Sequence, residues 1–239
     1  MKFRSILVVT YGRSGSTLLQ GLLNSIDGVY VAGENGNFLY GAFLAHDALQ
    51  KAVKKFSGAH ADNPTGAWYG INSTDPDCFV RGLWPLVKGT LFSDASRRTR
   101  CFGFKEIRYF ELVPRSRLHA YLDFLAELFP DPAFVINLRN HDDVLRSAWW
   151  PRRANRTALR KRLAAFEQSL LEWQKAHRDR SFVIRYEELV ARPARVKRLF
   201  EFLGARFDER RYKRVLATPH SYDQKPAVLR RVKKLAAKL

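Results

Sequence analysis

The chain has 239 residues, of which 46% are hydrophobic and 13% aromatic, a content that excludes a disordered chain and suffices for the core of an α/β domain. Forty-two Lys and Arg against 23 Asp and Glu give a formal net charge of +19, which predicts an anionic ligand or partner. No segment approaches the about 20 consecutive apolar residues that would cross a bilayer.

The N-terminal residues indicate a cytoplasmic protein. Met1-Lys-Phe-Arg leads directly into the first predicted strand, which leaves no room for the apolar core and cleavage site of a signal peptide. Cys78 and Cys101 are the only cysteines, too few for a disulfide framework or a metal cluster, so we expect two buried thiols. The six histidines have no metal-ligand spacing.

The most informative segment runs from Ser5 to Leu19. Residues 3–10 form a near-continuous apolar run typical of a buried parallel strand, and leucines at helical spacing begin at Leu18. The loop between them contains two glycines, three hydroxyl residues and one arginine: Gly12, Arg13, Ser14, Gly15, Ser16 and Thr17. The glycines allow consecutive N–H groups to point into one concavity, and the hydroxyls and the guanidinium add donors. The loop therefore predicts a phosphate site.

The same loop differs from that of nucleoside-triphosphate enzymes. Their motif places a Lys directly before the final Ser or Thr, where it reaches the terminal phosphates. Here Ser16 stands before Thr17 and Arg13 is the cation of the loop, which disfavours a site for a triphosphate and its metal ion. The alternative is an ordinary tight turn between a strand and a helix, in which Gly and Ser are common.

The rest of the chain alternates apolar runs with helical patterns. Further strands are predicted at 29–32, 101–107, 133–138 and 181–186. Further helices are predicted at 38–56, 79–92, 115–129, 142–150, 157–177 and 193–203. Pro85 should kink or interrupt the second of these helices, and Gly204 should end the last. Residues 57–77, rich in Gly, Pro, Asn and Asp, indicate an insertion loop.

This alternation predicts an α/β fold with a central parallel sheet covered by helices on both faces. We expect a single domain over residues 1–239, because no repeat or low-complexity linker divides the chain, with residues 36–100 as an insertion that borders the substrate site. Ligands of such sheets bind at the carboxyl ends of the strands. The site is therefore expected in the loops after Thr10, Ile107, Leu138 and Ile184.

A second candidate anion site follows the strand at 133–138. Arg139 ends that strand, and Ser147 lies eight residues later, about two turns into the predicted helix. A helix that returns over the strand end would bring the guanidinium and the hydroxyl around one anion. The alternative is an arginine at the helix entry, paired with Asp142 or Asp143.

Three segments in this order resemble the sulfotransferases that use 3′-phosphoadenosine 5′-phosphosulfate (PAPS). They are Tyr11-Gly-Arg-Ser-Gly-Ser-Thr-Leu-Leu19, the Arg139 to Ser147 spacing, and Phe182-Val-Ile-Arg-Tyr-Glu-Glu-Leu-Val190 followed by Pro193 and Phe200-Glu-Phe-Leu-Gly204. The resemblance spans residues 5–204. It implies a P-loop NTPase-like three-layer sandwich that moves a sulfuryl group from PAPS, as co-substrate, to an acceptor hydroxyl without a metal ion.

Carried over by position, the resemblance divides the donor between two sites. The loop from Gly12 to Thr17, with Arg13, would hold the 5′-phosphosulfate, and Arg139 with Ser147 would hold the 3′-phosphate. Tyr186 falls in the family's Tyr-Glu-[Asp/Glu]-Leu element, for which the resemblance implies a contact near the nucleotide. A buried tyrosine at a strand end, with its hydroxyl satisfied, explains Tyr186 equally well.

Glu34 and Lys105 are the implied catalytic residues, together with Arg13. Glu34 follows a predicted strand, where sulfotransferases acting on sugars or tyrosine carry the base proposed to deprotonate the acceptor; a solvent-facing carboxylate is the alternative. Lys105 would stabilise the bridging oxygen of the leaving nucleotide. Members acting on phenols and steroids carry a catalytic His two residues after their Lys, where this chain has Ile107. The resemblance is therefore closer to the carbohydrate and tyrosine type.

Two other functions stay open at this point: a P-loop nucleotide kinase, and a basic protein that binds nucleic acid or another polyanion without catalysis. The basic residues form no RNP or zinc-finger signature, so we expect no specific nucleic-acid partner. The acceptor matches no pattern, although the charge favours an acidic one. Residues 221–225 could close over the nucleotide, and residues 229–238 are typical of a solvated basic helix.

Overall fold

In the described part of the chain, residues 1–147, 150 and 155–219 of a computed structural model, five parallel strands form one sheet in the order β2-β3-β1-β4-β5. The strands are β1 (Ser5–Val9), β2 (Val29–Ala32), β3 (Cys101–Glu106), β4 (Pro132–Leu138) and β5 (Ser181–Arg185). Every end lies within two residues of a predicted one. The predicted parallel sheet is confirmed.

Helices connect the strands and cover the sheet. They are α1 (Ser16–Asn24), α2 (Leu39–Phe56), α3 (Pro76–Leu91), α4 (Tyr109–Leu112), α5 (Arg115–Leu128), α6 (His141–Leu145), α7 (Arg156–Ala176), α8 (Tyr186–Ala191), α9 (Pro193–Phe202) and α10 (Glu209–Ala217). Two short 3₁₀ helices, Ala59–Asp62 and Ile71–Ser73, lie in the segment predicted as an insertion loop. In the described residues, no helix is both long enough and apolar enough to cross a membrane.

Each face of the sheet carries its own apolar core. Along β1, Leu7 and Val9 pack with α2, α3, α5 and α7, whereas Ile6 and Val8 pack with α1, α8, α9 and α10. Strand β4 divides its residues in the same way, because successive side chains of a strand point to opposite faces. A strand buried on both faces is apolar throughout rather than alternating. The predicted three-layer α/β fold is confirmed.

The prediction of α3 was wrong at its start. The helix begins at Pro76, three residues earlier than predicted, because the Asp75 carboxylate accepts the N–H groups of Asp77 and Cys78 at 2.9 and 3.1 Å, a helix cap. It also continues through Pro85 without interruption. The expectation of two buried thiols holds only for Cys101, because Cys78 lies on the exposed side of this first turn.

Two further differences concern short helices. Helix α6 ends at Leu145, so Ser147 lies beyond the helix rather than two turns into it. Helices α4, α8 and α10 were not predicted. Helix α10 is dominated by charged residues and packs on α1 through Tyr212 and Val215, an apolar stripe too narrow to stand out in the sequence.

Candidate functional site

The carboxyl ends of four neighbouring strands meet at one edge of the sheet. Val9 of β1 is paired with Glu106 of β3 and with Ile136 of β4, and Leu138 of β4 is paired with Arg185 of β5. The loops that follow these strands carry the residues singled out in the sequence. This register brings the predicted phosphate loop, Lys105, Arg139 and Tyr186 to the same edge.

The loop after β1 turns sharply into α1. Arg13 and Gly15 both have left-handed backbone angles, with φ of 70° and 80°. The Thr10 hydroxyl lies 2.7 Å from Ser14 Oγ and donates to the carbonyl of Asn137 at 2.6 Å, which fixes the loop to β4. Helix α1 has no side-chain cap and no acidic residue in its first turn. Its first N–H groups and positive dipole end therefore suit an anion.

Gly15 is required by the approach of Tyr186 as well as by its backbone angle. A Cβ atom at this position would lie 2.1 Å from Cδ2 of the Tyr186 ring, well inside contact distance. The tyrosine at the end of β5 is thus pressed against the phosphate loop. The guanidinium of Arg139 lies over the same ring, with its Cζ 4.3 Å from the ring centre, in a cation–π contact.

Arg13, Arg139 and Ser147 form one contiguous cationic cluster. Arg139 Nη1 donates to the carbonyl of Arg13 at 3.0 Å, and Arg13 Nε donates to Ser147 Oγ at 2.9 Å. The resemblance assigns these side chains to two ends of the donor, and the structure places them next to each other. Arg139 Nε is buried and finds no hydrogen-bond partner within the described ranges.

The alternative pairing of Arg139 with the acidic residues of α6 is not adopted. Asp143 pairs with Arg146 at 2.6 Å, and Asp142 pairs with Arg160 at 3.1 Å. Arg139 instead contacts the phosphate loop and Tyr186. Its position is set by the site rather than by the entry into α6.

A group of hydrogen-bonded side chains supports this cluster. It consists of Tyr11, Glu167 and His141, and none of the three was predicted from the sequence as a site residue. The buried Tyr11 hydroxyl accepts the N–H of Arg139 at 2.9 Å and donates to Glu167 Oε1. His141 Nε2 lies 3.0 Å from the same carboxylate oxygen. Burial and the negative charge of Glu167 raise the pKa of Tyr11 well above its ordinary value, so it remains a hydroxyl. The sequence signal that could have identified this group is Glu167, a single glutamate on the apolar face of α7.

Glu34 and Lys105 meet in an ion pair. Lys105 Nζ lies 2.5 Å from Glu34 Oε1. The lysine side chain is only 5% exposed, whereas the glutamate side chain is 40% exposed, so the pair has a buried cation and a carboxylate that reaches the surface. The two residues assigned to catalysis by resemblance are therefore in direct contact, although they are 71 positions apart.

Glu106 is a further buried carboxylate beside this pair. Its side chain is 0% exposed and accepts four backbone N–H groups, from Asn35, Asn37, Ile107 and Arg108, at 2.8 to 3.1 Å. The sequence offered no signal for this role, because all four donors are backbone groups and two of them, those of Asn35 and Asn37, lie in a loop distant in sequence.

Two predicted features lie outside the described residues, namely Ser221 to Lys225 and the basic stretch from Leu229 to Lys238. Over residues 1–147, 150 and 155–219, no group of three or more His, Cys, Asp or Glu is arranged to hold a metal ion.

Comparisons with known proteins extend over most of the chain. A family model described as "Sulfotransferase family" matches residues 5–209. The sulfotransferase domain of the Synechococcus PCC 7002 olefin synthase is 20% identical, with 94% of this chain and 82% of that chain covered and a TM-score of 0.55. This likeness supports the fold. No curated protein matches the sequence.

Two other solved structures are more distant. Sulfotransferase STF9 from Mycobacterium avium is 14% identical, with 90% of this chain and 67% of that chain covered and a TM-score of 0.43. A retinol dehydratase in complex with androsterone and the inactive cofactor PAP is 16% identical, with 90% and 64% covered and a TM-score of 0.38. At these TM-scores neither likeness adds to the argument.

Proposed function

The chain belongs to the sulfotransferase family, and we propose that it transfers a sulfuryl group from PAPS to an acceptor hydroxyl at the sheet edge described above. The observation that carries the proposal is the convergence of Arg13, Arg139 and Ser147 on the loop that opens α1. Arg13 and Arg139 come from two strand-end loops and Ser147 from the segment after α6, and together they form a cationic cradle beside the uncapped N-terminus of α1. A nucleotide with phosphate groups on both sides of its ribose fits such a cradle.

Three features of the cradle support PAPS as the donor. Arg139 Nε has no partner in the described chain, which leaves a buried donor for a phosphate oxygen. Ser147 Oγ and Arg13 Nε bond to each other and can both turn to an anion. The Tyr186 ring, pressed on Gly15, offers an apolar surface next to both.

The loop amides from Ser14 to Thr17 and Arg13 would hold the phosphosulfate, and Arg139 with Ser147 would hold the 3′-phosphate.

Glu34 is the proposed base. When bound, PAPS supplies an activated sulfuryl group on a good leaving phosphate. Glu34 takes the proton of the acceptor hydroxyl as its oxygen forms a bond to sulfur, and the bond from sulfur to the bridging phosphate oxygen breaks. The products are the sulfate ester, adenosine 3′,5′-bisphosphate (PAP) and a protonated Glu34. Lys105 and Arg13 stabilise the negative charge that collects on the leaving oxygen.

The ion pair between Glu34 and Lys105 gives the donor a role in activating the base. In the pair each charge neutralises the other at 2.5 Å. A leaving phosphate offers Lys105 a second anionic partner, which loosens its contact with Glu34 and frees that carboxylate to bond to the acceptor hydroxyl. Glu34 then acts as the base, and Lys105 stabilises the leaving oxygen, only when the donor is in place.

The acceptor is proposed to be a carbohydrate or another hydroxyl compound of acidic character. Ile107 stands where phenol and steroid enzymes carry a catalytic His, and the net charge of +19 favours an anionic acceptor. The segment from 36 to 100 is proposed to border its site. A nucleotide kinase would need a lysine before Thr17, where the chain has Ser16. The cytosolic location expected from the sequence stays a prediction.

The proposed reaction is tested by incubating the protein with PAPS radiolabelled in the sulfuryl group and a panel of acceptors. The panel contains an acidic polysaccharide, a neutral oligosaccharide, a tyrosine peptide and p-nitrophenol, each with and without EDTA. We expect the label to appear in a carbohydrate, to the same extent with and without EDTA. Label in none of them, together with Mg²⁺-dependent transfer of phosphate from ATP, would support the kinase instead.

Glu34→Gln keeps the shape of the base but removes its ability to accept a proton. We expect kcat to fall about 100-fold or more, because general base catalysis contributes about 10²–10⁴-fold. PAP affinity should stay within a few-fold in isothermal titration. Glu127→Gln, which alters an exposed carboxylate on α5, is the matched control. Unchanged kcat in Glu34→Gln would remove Glu34 from the mechanism.

A further inference from the structure

Glu106 is a buried carboxylate whose partners are all backbone groups in the described chain. Its Oε2 accepts the N–H groups of Asn35 and Asn37 at 3.1 and 2.8 Å. Its Oε1 accepts those of Ile107 and Arg108 at 2.8 and 3.0 Å. A carboxylate has about four lone-pair sites, so these four bonds use its whole accepting capacity. Glu106 is therefore occupied as an anchor and has no capacity left for acid–base chemistry.

The anchor joins the two loops that carry the proposed catalytic pair. Asn35 follows Glu34 directly, and Glu106 follows Lys105 directly. The loop after β2 has no backbone pairing with the sheet at these positions, because β2 ends at Ala32. The bonds from Glu106 thus replace a strand pairing and fix the loop at the end of β3. They set the approach of the Glu34 carboxylate to Lys105 Nζ.

Asn37 strengthens the anchor from the other side. It has a left-handed backbone with φ of 56°, its Oδ1 accepts the buried hydroxyl of Tyr121 at 2.8 Å, and its N–H also reaches Asn35 Oδ1 at 3.0 Å. The segment 35–37 is thereby held by a strand end and by helix α5. Charge-assisted bonds to backbone N–H groups are stronger than neutral ones, so Glu106 makes the larger contribution.

We propose that Glu106 is a positioning residue for the base: it holds the loop 33–37 so that Glu34 faces both Lys105 and the acceptor hydroxyl. This inference rests on the proposed function, in which Glu34 accepts the proton. A displacement of about 1 Å in a reacting group can cost about 100-fold in rate. Loss of the anchor should therefore lower kcat and leave the donor cradle, which is built from the loops after β1 and β4, intact.

Glu106→Gln is the direct test. The glutamine amide presents an NH₂ group where one carboxylate oxygen of Glu106 accepts backbone N–H groups. Two donors cannot bond to each other, so the backbone N–H groups that face this NH₂ must move away from it. We expect kcat to fall about 10- to 100-fold with the most rapidly labelled acceptor of the panel, because the base is misplaced. The KM for PAPS and the affinity for PAP should stay within about twofold. Glu127→Gln again serves as the control.

A double-mutant cycle separates positioning from general damage. If Glu106 acts through Glu34, the loss caused by Glu106→Gln should vanish in a Glu34→Gln background. Losses that multiply in the double variant, or full kcat in folded Glu106→Gln, would overturn the proposal. Full kcat in Glu34→Gln alone would instead overturn the proposed base and, with it, the role of Glu106 as its positioner.

Amide hydrogen exchange of the unmodified protein keeps the proposal testable even if Glu106→Gln does not fold. The N–H groups of Asn35 and Asn37 should exchange slowly although they lie in a loop, since both are bonded to a buried carboxylate. Exchange at the rate of unprotected amides would overturn the proposal. In Glu106→Asp, which keeps the acceptors on a shorter side chain, protection of these two amides should fall while that of α1 is retained.

Discussion

Arg139 makes the contacts that join three strand-end loops at the site. Its backbone N–H is bonded to Tyr11, its guanidinium to the carbonyl of Arg13, and its flat face lies on Tyr186. A flexible side chain held at so many points is preorganised, and little side-chain entropy is left to lose when an anion binds. This is why the guanidinium suits a phosphate site better than an exposed arginine would.

Arg139→Ala should weaken the binding of PAP more than it lowers the stability of the fold. One or two charge-assisted hydrogen bonds are lost, each contributing about 1.5–3 kcal/mol, which corresponds to a loss in affinity of about tenfold or more. Isothermal titration with PAP measures it. Arg146→Ala, which removes an exposed arginine paired with Asp143, should bind PAP as the native protein does. Equal affinity in the two variants would contradict the assignment.

The site residues that were predicted from the sequence form local clusters, whereas those that were missed are bonded to distant residues or to backbone groups. The residues of the phosphate loop and Arg139 stand out because glycines, hydroxyls and arginines cluster at strand ends. Glu106 and Glu167 act through partners about 70 or more positions away, or through backbone N–H groups, and neither leaves a local pattern. Only the folded chain brings such pairs together.

The strand–loop–helix unit of β1 and α1 depends on the packing of α8 against it. Tyr186 begins α8 and its ring occupies the space in which a side chain on Gly15 would lie. The conformation of the loop and the position of the Tyr186 ring are therefore coupled. A change in one element must move the other.

Gly15→Ala should damage both elements. An alanine at φ of 80° costs roughly 1–2 kcal/mol, and its Cβ would force the Tyr186 ring away from Arg139. We expect Tm to fall by about 2–8 °C, from about 2–4 °C per kcal/mol in a protein of this size, and PAP affinity to fall with it.

Gly82→Ala is the matched substitution on α3, where a Cβ meets nothing within 4 Å. It should raise stability by about 0.5–1 kcal/mol, because glycine is unfavourable inside a helix. Thermal unfolding followed by circular dichroism compares the two variants. A similar Tm for both would show that Gly15 is not under the strain described.

At the scale of elements, long apolar patterns were predicted well, whereas α4, α8 and α10 were not predicted and α6 is shorter than predicted. All five strands in the described ranges and the long helices α2, α5 and α7 lie close to their predicted bounds. Helices α4, α6 and α8 have four to six residues, too few for an apolar period to stand out in the sequence. Ser147 therefore reaches Arg13 from beyond a helix end rather than from a helical turn.

At the scale of the molecule, the described residues form one sheet between two apolar cores, and Cys101 lies in the core shared by α1, α9 and α10. Burial raises the pKa of the Cys101 thiol from about 9 to about 12. Below pH 9 the thiol is protonated in both the folded and the unfolded chain. As the pH rises from 9 towards 12, only the unfolded chain loses the proton, so the stability provided by the buried thiol is lost.

The free energy of unfolding should therefore fall above about pH 9, with a contribution from Cys101 of about 1.4 kcal/mol per pH unit. Urea unfolding at several pH values measures this slope. Cys101→Ala removes the titrating group and should flatten the slope by that amount. Buried tyrosines such as Tyr109 and Tyr121, whose pKa values burial also raises, affect both proteins alike. Identical slopes would contradict the role of Cys101.

A crystal structure with PAP tests whether cationic groups at one sheet edge hold both phosphate ends of the nucleotide. We expect the 5′-phosphate on the amides of Ser14 to Thr17 and Arg13, the 3′-phosphate on Arg139 and Ser147, and the nucleotide beside Tyr186. PAP bound elsewhere, or with its 3′-phosphate away from Arg139 and Ser147, would contradict the account.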